Sequence, residues 1–378
     1  MTSTSTSTST PTPTSTLAHL ARHDRLLLDA ALRPAQGTRF QPTGFPDLGA
    51  ATYTLPSGRG MAVVESAQSM ANRLETVCWD AAAAALAAPL RGLPYVAVYS
   101  DGAPITTSIQ EAHRLNSSYI LEADDGKLKR ELIDRLEVRD ARPADMGRLA
   151  RAAFHYDPNS VLHGIFLARN DIAGGQYRLT RALSAFIEAT DVVPVESGGV
   201  KFDRVDPSGD AAKGFGHVPF HRTEFAASSI TAYFSIDIAR LRSYRLGAET
   251  PEQAGDAPRH TLTAPEELLV ALALWKVRRF LETGLRLRTA CDLIVEGNLR
   301  VAGDDMAIPS TAALADRLRA LIAACGQEPG LFAAPAITRL NYAASAGGRK
   351  RKGAEVKDAA GRAAAPPAGE EGEEAWSR

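Results

Sequence analysis

The sequence predicts a mixed α and β fold, an α/β or α+β sheet with helices on one face, and three observations favour it. The short apolar segment Met61–Glu65 leads directly into Ser66–Cys78, where apolar residues recur at helical spacing. The segment Ile230–Ile238 is rich in β-branched and aromatic residues, which is typical of a strand. Pro265–Leu281 is long and apolar with proline in its first turn, which favours a helix. Strands that alternate with helices are typical of these fold classes.

The same periodicities predict the other elements. Helices are expected over Leu17–Leu32, Lys127–Leu136, Ala144–Phe154 and Thr311–Cys325, the last capped by Ser310. Strands are expected over Tyr95–Ser100, Ser118–Leu121, Val161–Ala168 and Leu293–Val301. The first of these strands would close a βαβ unit with Met61–Glu65 and the helix that follows it.

Composition excludes several classes of protein. The chain has 378 residues, 45% of them hydrophobic, and a net charge of −1, which excludes a fully disordered chain and a collagen-like fibre. Its three cysteines are far apart, so neither a disulfide framework nor a zinc ribbon is indicated. No apolar run is long enough for a transmembrane helix, and the first residues do not read as a secretory signal. We expect a soluble cytoplasmic protein.

The two ends of the chain differ from the rest in composition. Residues 1–16 are rich in serine and threonine, and residues 345–378 are rich in glycine, alanine and proline with a basic block, Arg349–Lys352, and an acidic block, Glu370–Glu374. Neither segment has enough apolar residues to form a core, so both are expected to be disordered. The basic block is either a nucleic-acid contact or part of a solvated tail. The fold is expected over residues 17–344.

Arginine supplies 35 of the 43 basic residues. A guanidinium group suits phosphate binding and stacking on bases, although a GC-rich genome also favours arginine without a functional cause. Because the net charge is near zero, any site for a polyanion must be a local stripe.

The loop Arg33–Gly49 is the segment richest in turn-forming residues and hydrogen-bond donors. Its glycines and prolines fix a turn path, while Arg33, Arg39 and Gln41 supply hydrogen-bond donors. Such a loop either cradles phosphate or connects two elements rigidly. It does not match the Walker or GxGxxG spacing, so nucleotide hydrolysis has no support.

Three further segments carry candidate binding residues. A helix over Ser66–Cys78 displays Gln68, Asn72 and Arg73 together, as a binding surface or a solvated face. Hydroxyl side chains stand at a predicted helix start, before His113, Arg114 and Asn116. These hydroxyls either bind an anion or only cap the helix. Near residue 178 the chain places two arginines three apart, Arg178 and Arg181.

Residues 201–224 form a long Gly- and Pro-rich insertion that ends with His221 and Arg222. It is either a projecting hairpin that clamps a strand or a disordered insertion. His217 and His221 lie four apart without a third ligand nearby, so a zinc site is weakly supported. The sequence also lacks GxSxG, HExxH and a cysteine near a histidine, and Asp47 and Glu65 are isolated carboxylates.

Several of these motifs together resemble one family. The loop Arg33–Gly49, the helix Glu65–Glu75, and the segments Glu111–Ser117, Leu162–Gly164 and Pro219–Phe225 are similar to the CRISPR-associated RAMP backbone subunit, of the Cas-seven class, in type I-U (I-G) systems. The resemblance covers roughly residues 26–301. It implies an α+β fold with an RRM-like, ferredoxin-type palm and with finger and thumb insertions, residues 201–224 being the candidate thumb loop.

The resemblance also implies a function. Copies of the subunit stack along one crRNA in a Cascade-type interference complex, the guide pairs with invading DNA, and a separate helicase–nuclease is recruited. The subunit binds without cutting, and no cofactor or metal is implied. No RRM-style aromatic motif is evident in the sequence, so we expect contacts with the RNA backbone and with bases splayed by a thumb loop rather than stacking on the sheet.

Carried onto this sequence, the resemblance assigns RNA-binding roles to all the candidate residues above. Arg33, Arg39 and Gln41 would hold phosphates. The palm would be lined and flanked by Gln68, Asn72, Arg73, His113, Arg114 and Asn116. The finger or thumb would contribute Arg178, Arg181, His221 and Arg222.

Two enzymatic alternatives stay open. One is a metal-dependent ribonuclease that uses a loop aspartate such as Asp47. The other is a guide-processing endonuclease that uses a histidine such as His221 as general acid and base.

Overall fold

The computed structural model describes residues 17, 20, 22–45, 47–137, 145–172, 177–210, 213, 215–247 and 261–343. The Ser/Thr-rich start and the charged tail, with its basic and acidic blocks, lie outside the described residues. Among the described residues, no helix is long and apolar enough to cross a membrane.

Strands and helices alternate irregularly along the chain. The strands are β1 (Arg25–Pro34), β2 (Arg39–Phe40), β3 (Gly44–Phe45), β4 (Gly49–Ala50), β5 (Thr52–Thr54), β6 (Gly60–Glu65), β7 (Trp79–Asp80), β8 (Ala85–Leu86), β9 (Tyr95–Ser100), β10 (Ala103–Thr107), β11 (Ile165–Leu167), β12 (Tyr177–Leu179), β13 (Leu183–Thr190), β14 (Val193–Lys201), β15 (Val218–Ala226), β16 (Ser229–Asp237), β17 (Arg286–Arg288), β18 (Cys291–Val301) and β19 (Ile337–Asn341). The helices are α1 (Ala67–Thr76), α2 (Ser118–Glu122), α3 (Lys127–Leu136), α4 (Met146–Tyr156), α5 (Pro158–His163), α6 (Ile238–Ser243), α7 (Ala264–Thr283) and α8 (Thr311–Gln327).

The central sheet has the strand order β17-β18-β1-β16-β13-β6-β5. Its middle four strands pair antiparallel, β18 with β1, β1 with β16 and β16 with β13. Taken in chain order, β1, β13, β16 and β18 therefore lie in the spatial order 4-1-3-2, with helical segments after the first strand and before the last. This is the split βαβ arrangement of ferredoxin-like and RRM folds. The predicted α+β fold with a ferredoxin-type palm is confirmed.

Helices cover one face of the central sheet and leave the other face open. Alternate residues of β1 are buried, Leu26, Leu28, Ala30 and Leu32, and β13 and β16 show the same alternation. Helices α1, α5 and α7 pack against these strands. The strict alternation of buried and exposed side chains is what a sheet with one solvated face requires.

The prediction of a helix over Leu17–Leu32 was wrong, because residues 25–34 form strand β1. Leucine and alanine are good helix formers, so local propensity favoured the helix. As a central strand, β1 instead pairs with β16 on one side and β18 on the other. The packing gained in that position outweighs the intrinsic preference.

Two strand predictions in the middle of the chain also needed correction. Residues 118–122 form helix α2, capped by the Ser117 side chain, because a four-residue apolar run fits either structure. The predicted strand over residues 161–168 is divided between helix α5 and strand β11. Strand β9 exists as predicted, but it pairs with β10 and β19 in a separate three-stranded sheet and closes no βαβ unit with β6.

The remaining helix predictions were close. Residues 127–136 form α3, α4 lies within two residues of its predicted bounds, and Ser310 caps α8 through the Ala313 amide. Helix α7 begins with a capping box in which Thr263 and Glu266 satisfy each other's backbone N–H groups. Its next three turns are buried throughout, so α7 is the central helix of the core.

A polar cluster lies buried where α7 meets α5. The Lys276 Nζ group donates to Asn159 Oδ1 and lies 2.8 Å from His163 Nε2. Asp157 is also fully buried and accepts from Asn159 and Ser160. An ammonium group can only donate, so beside a charged Lys276 the Nε2 atom accepts and the neutral ring carries its proton on Nδ1, a buried atom without a hydrogen-bond partner among the described residues. Burial lowers the pKa of His163 well below 6.5, and the charge of Lys276 adds to the shift.

This lowered pKa makes stability depend on pH. Below pH 6.5 the unfolded chain binds a proton at residue 163 that the folded chain does not, so the free energy of unfolding falls as the pH drops. Between pH 7.5 and 5.5, denaturant titrations should show a loss of about 1 kcal/mol more for the wild type than for His163→Gln. The glutamine keeps an acceptor for Lys276 but does not titrate. Equal pH dependence of the two proteins would contradict a neutral His163.

Candidate nucleic-acid interface

A cleft of about 760 Å³ separates the first loop from the base of the long hairpin formed by β14 and β15. One wall is formed by residues 41–45, 48–50 and 52, on the strands β3 and β4 and beside them. The opposite wall is His221, Arg222 and Thr223 of β15, and Arg288 of β17 borders the cleft. The cleft thus joins segments about 180 and 250 residues apart in sequence.

The β14–β15 hairpin is held to the first loop at its base. Strand β15 pairs with β2 through Phe225 and Phe40, which are both buried. Arg39 of β2 forms an ion pair with the largely buried Glu224 at 2.9 Å, and Arg222 Nε lies 3.7 Å from the same carboxylate. These contacts fix two guanidinium groups beside one carboxylate, and Arg222 is the one of these residues that lines the cleft. The insertion over residues 201–224 is therefore a hairpin in its described part.

Apolar side chains stand exposed on the first-loop wall. Phe45 is 67% exposed and Leu48 is 82% exposed, at the tip of the β3–β4 hairpin. The tip is tight at Gly44, where a Cβ atom would lie 2.5 Å from the Gly49 carbonyl oxygen. An exposed aromatic ring at the rim of a cationic cleft suits stacking on an unpaired base.

Arg288 lines the cleft and is held in place by several hydrogen bonds. It donates to the Gln41 and Val64 carbonyl oxygens and to the carboxylate of Glu65, which is only 1% exposed. Arg73 Nε lies 3.3 Å from the same carboxylate. Two guanidinium groups around one buried carboxylate leave an excess of positive charge. Arg288 was not predicted as a binding residue; the locally basic segment that contains Arg286 and Arg288 is the signal that could have indicated it.

The structure brings some of the predicted site residues together. Gln41, His221 and Arg222 line the cleft, and Arg39 lies beside it. Arg73 does not line the cleft; it is half-buried, shares Glu65 with Arg288 and donates to the Leu287 carbonyl at 2.6 Å, while Gln68 and Asn72 of the same helix are exposed. The predicted joint display of these three α1 side chains was wrong for Arg73.

Other predicted residues lie away from the cleft. Arg33 is exposed at the end of β1, with Ile294 as its register partner, and Arg178 is exposed on β12. His113 is exposed in the loop before α2, and the Asn116 Oδ1 atom is buried. None of these four residues lines the cleft.

Arg114 is buried rather than displayed. Its guanidinium donates to both carboxylate oxygens of Glu75, at 2.6 and 2.7 Å, and to the Gly164 carbonyl. Burial raises the pKa of Glu75, and the ion pair with Arg114 opposes that rise. Arg181 lies nearby and donates to the Ala67 carbonyl at 2.9 Å. The predicted surface role of Arg114 is replaced by a structural one.

The histidine of the hairpin has a carboxylate partner. His221 Nε2 lies 2.7 Å from Glu196 across the β14–β15 ladder, and both side chains are mostly exposed. Among the described residues, no three histidine, cysteine or acidic side chains are grouped as a metal site.

The open face of the central sheet carries an aromatic pair that the sequence did not reveal. Phe186 of β13 and Tyr233 of β16 are register partners, stacked with ring centroids 5.1 Å apart and each 39% exposed. Because the two rings are 47 residues apart in sequence, the sequence alone does not show that they form a pair. Around them lie acidic groups such as Asp29 and Glu188, so this face is a poorer environment for phosphate than the cleft.

Residues 26–194 match the family model described as CRISPR-associated protein GSU0053. The expected resemblance to a CRISPR-associated family is thereby confirmed for this segment, which includes the first loop, helix α1 and the first residues of β14. No curated protein matches the chain.

Two solved structures are similar to this chain at low identity. A chain of a structure described as "CRISPR RNA-guided surveillance complex, pre-nicking" is 16% identical with a TM-score of 0.36, covering 72% of this chain and 74% of that chain. The crystal structure of Thermofilum pendens Csc2 is 11% identical with a TM-score of 0.28, covering 76% and 68%. With TM-scores this low, neither structure adds to what the family match says.

Proposed function

We propose that this CRISPR-associated chain binds crRNA as a non-catalytic backbone subunit of a Cascade-type interference complex. Copies would lie side by side along the guide, which they present for pairing with invading DNA. Other Cascade-type subunits and a recruited helicase–nuclease would complete the assembly.

The cleft beside the long hairpin is the observation that carries this proposal. Arg222 and Arg288 line it, and Arg39 and Arg73 share the carboxylates of Glu224 and Glu65 with them. With Glu196 beside His221, four guanidinium groups stand against three carboxylates, an excess of one positive charge. The chain as a whole has a net charge of −1, so this local excess of cations is what attracts a polyanion. The exposed Phe45 ring and the threonine hydroxyls of the walls suit a single strand, whose bases are free to stack and to form hydrogen bonds.

Salt dependence of RNA binding tests the phosphate contacts. Binding of the purified protein to a labelled crRNA should weaken steeply as salt rises, because each neutralised phosphate releases counterions. Two or three phosphates per copy give a slope of log affinity against log salt of about −1.5 to −2 for each bound copy. Filter binding on an RNA that holds one copy gives this slope directly. A slope near zero would contradict the proposal.

An endoribonuclease is the second candidate, because His221 has a carboxylate partner in Glu196 that would orient a general base. We expect no cleavage when labelled guide-repeat RNA or complementary target RNA is incubated with the protein, with and without magnesium or manganese. The readout is a denaturing gel. Cleavage at one defined position that is lost in His221→Ala or Asp47→Ala would replace the binding-only proposal with the nuclease.

A further inference from the structure

A second and larger groove, of about 1260 Å³, lies between the start of the β10-β9-β19 sheet, helix α3 and the end of α4. It shares no lining residue with the cleft described above. The apolar side chains of its lining that reach solvent are aliphatic, namely Ala85, Ala334, Pro335, Ala336 and Ile337. A concave surface with aliphatic walls is suited to receiving aliphatic side chains of a ligand.

Four exposed cations surround this groove, Arg91, Lys127, Arg135 and Arg339. Within the described ranges, no carboxylate forms an ion pair with any of them. The groove has two acidic residues, Asp134 and Glu131, and Glu131 accepts a hydrogen bond from the Tyr156 hydroxyl at 2.7 Å. The lining is therefore net positive, and its cations are available to a ligand with negative charge.

Two of these arginines are already held in position. Arg135 donates to His155 Nε2 at 2.8 Å, and its guanidinium carbon lies 5.4 Å from the centre of the Tyr156 ring. His155 in turn donates from Nδ1 to the Gly330 carbonyl, which fixes the tautomer that accepts from the arginine. Arg339 lies over the Tyr99 ring at 5.4 Å. Binding to side chains that are already ordered loses less conformational entropy.

The groove favours a peptide over a nucleic acid. Its rings, Tyr95, His155 and Tyr156, are only 5–8% exposed, so they offer no open plane for a base. Ile337, Thr338 and Arg339 belong to β19, which is an edge strand of its sheet. An extended peptide can hydrogen-bond to such an edge while its side chains enter the groove.

We propose that this groove docks a protein segment that combines acidic residues with aliphatic anchors. The aliphatic side chains pack on the floor, and the carboxylates pair with Arg91, Lys127, Arg135 and Arg339. This surface is independent of the RNA cleft, so a partner can bind while RNA is held.

A short fluorescein-labelled peptide that alternates glutamate and leucine is the probe, with fluorescence anisotropy as the readout. It should bind the full chain, and Arg135→Glu with Arg339→Glu should weaken it at least about tenfold, because charge-assisted contacts are lost. A lysine–leucine peptide should bind the double variant better than the wild type. Arg319→Glu, on an exposed face of α8 outside the groove, is the matched control and should change neither affinity.

Three results would overturn the proposal. A glutamate–serine peptide that binds as tightly as the glutamate–leucine peptide would show that the apolar floor is unused. Loss of binding in the control variant would show a general charge effect. Displacement of the peptide by oligouridylate would show that the groove is a nucleic-acid site. If RNA binds only in the first cleft, as proposed, the peptide stays bound when oligouridylate is added.

Discussion

Replacing Arg114 with leucine is expected to lower the free energy of unfolding by about 3–5 kcal/mol, since it leaves a buried carboxylate without its partner. Glu75 is 4% exposed and receives two hydrogen bonds from the Arg114 guanidinium. Denaturant unfolding followed by circular dichroism measures the change.

A double substitution separates this ion pair from simple loss of packing. Glu75→Leu together with Arg114→Leu removes both charges, so it should recover most of the stability that Arg114→Leu loses. If the single variant unfolds like the wild type and instead loses RNA affinity, Arg114 has the surface role that the sequence predicted.

The largest effect on RNA binding is expected from Phe45→Ser combined with Arg222→Gln. Loss of one stacking contact and one charge-assisted phosphate contact, each worth about 1–3 kcal/mol, should weaken binding by about 100-fold. Both side chains reach solvent at the rim of the cleft, and Arg39 still pairs with Glu224 in this variant. Its thermal unfolding should therefore stay close to that of the wild type.

The open sheet face supplies a control of the same composition. Phe186→Ser with Arg300→Gln also removes one exposed ring and one exposed guanidinium, but from a face with several carboxylates. This variant should keep its RNA affinity. If it loses as much affinity as the cleft variant, the RNA lies on the sheet, and the cleft is not the site.

Local signals in the sequence sufficed for much of the fold. The Ser310 and Thr263 caps, the helical spacing after Ser66 and the β-branched run of β16 each depend on neighbours along the chain. Strand β1 could not be predicted in this way, because what makes it a strand is pairing with residues about 200 and 260 positions away. Its leucines and alanines alone favour a helix.

The candidate site likewise has features that depend on neighbouring residues in sequence and features that depend on long-range contacts. Sequence reasoning identified the first loop and the hairpin separately and, through the family resemblance, gave both a role in RNA binding. It did not identify Arg288 as part of the cleft, nor the burial of Arg114, because both depend on which carboxylate the fold brings within reach. An arginine in a polar segment looks the same in sequence whether it meets solvent or Glu75.

The position of β1 has a consequence for biosynthesis. This strand leaves the ribosome before either of its partners, and the first of them, β16, begins at Ser229, about 195 residues after β1 ends. At about 5–20 residues per second, the nascent chain waits roughly 10–40 s before that pairing is available. During this time an alternating apolar strand has both edges free, which is the kind of segment that chaperones hold and that aggregates when they do not. Yield of soluble protein should therefore depend more on translation speed and temperature than the stability of the finished fold would suggest.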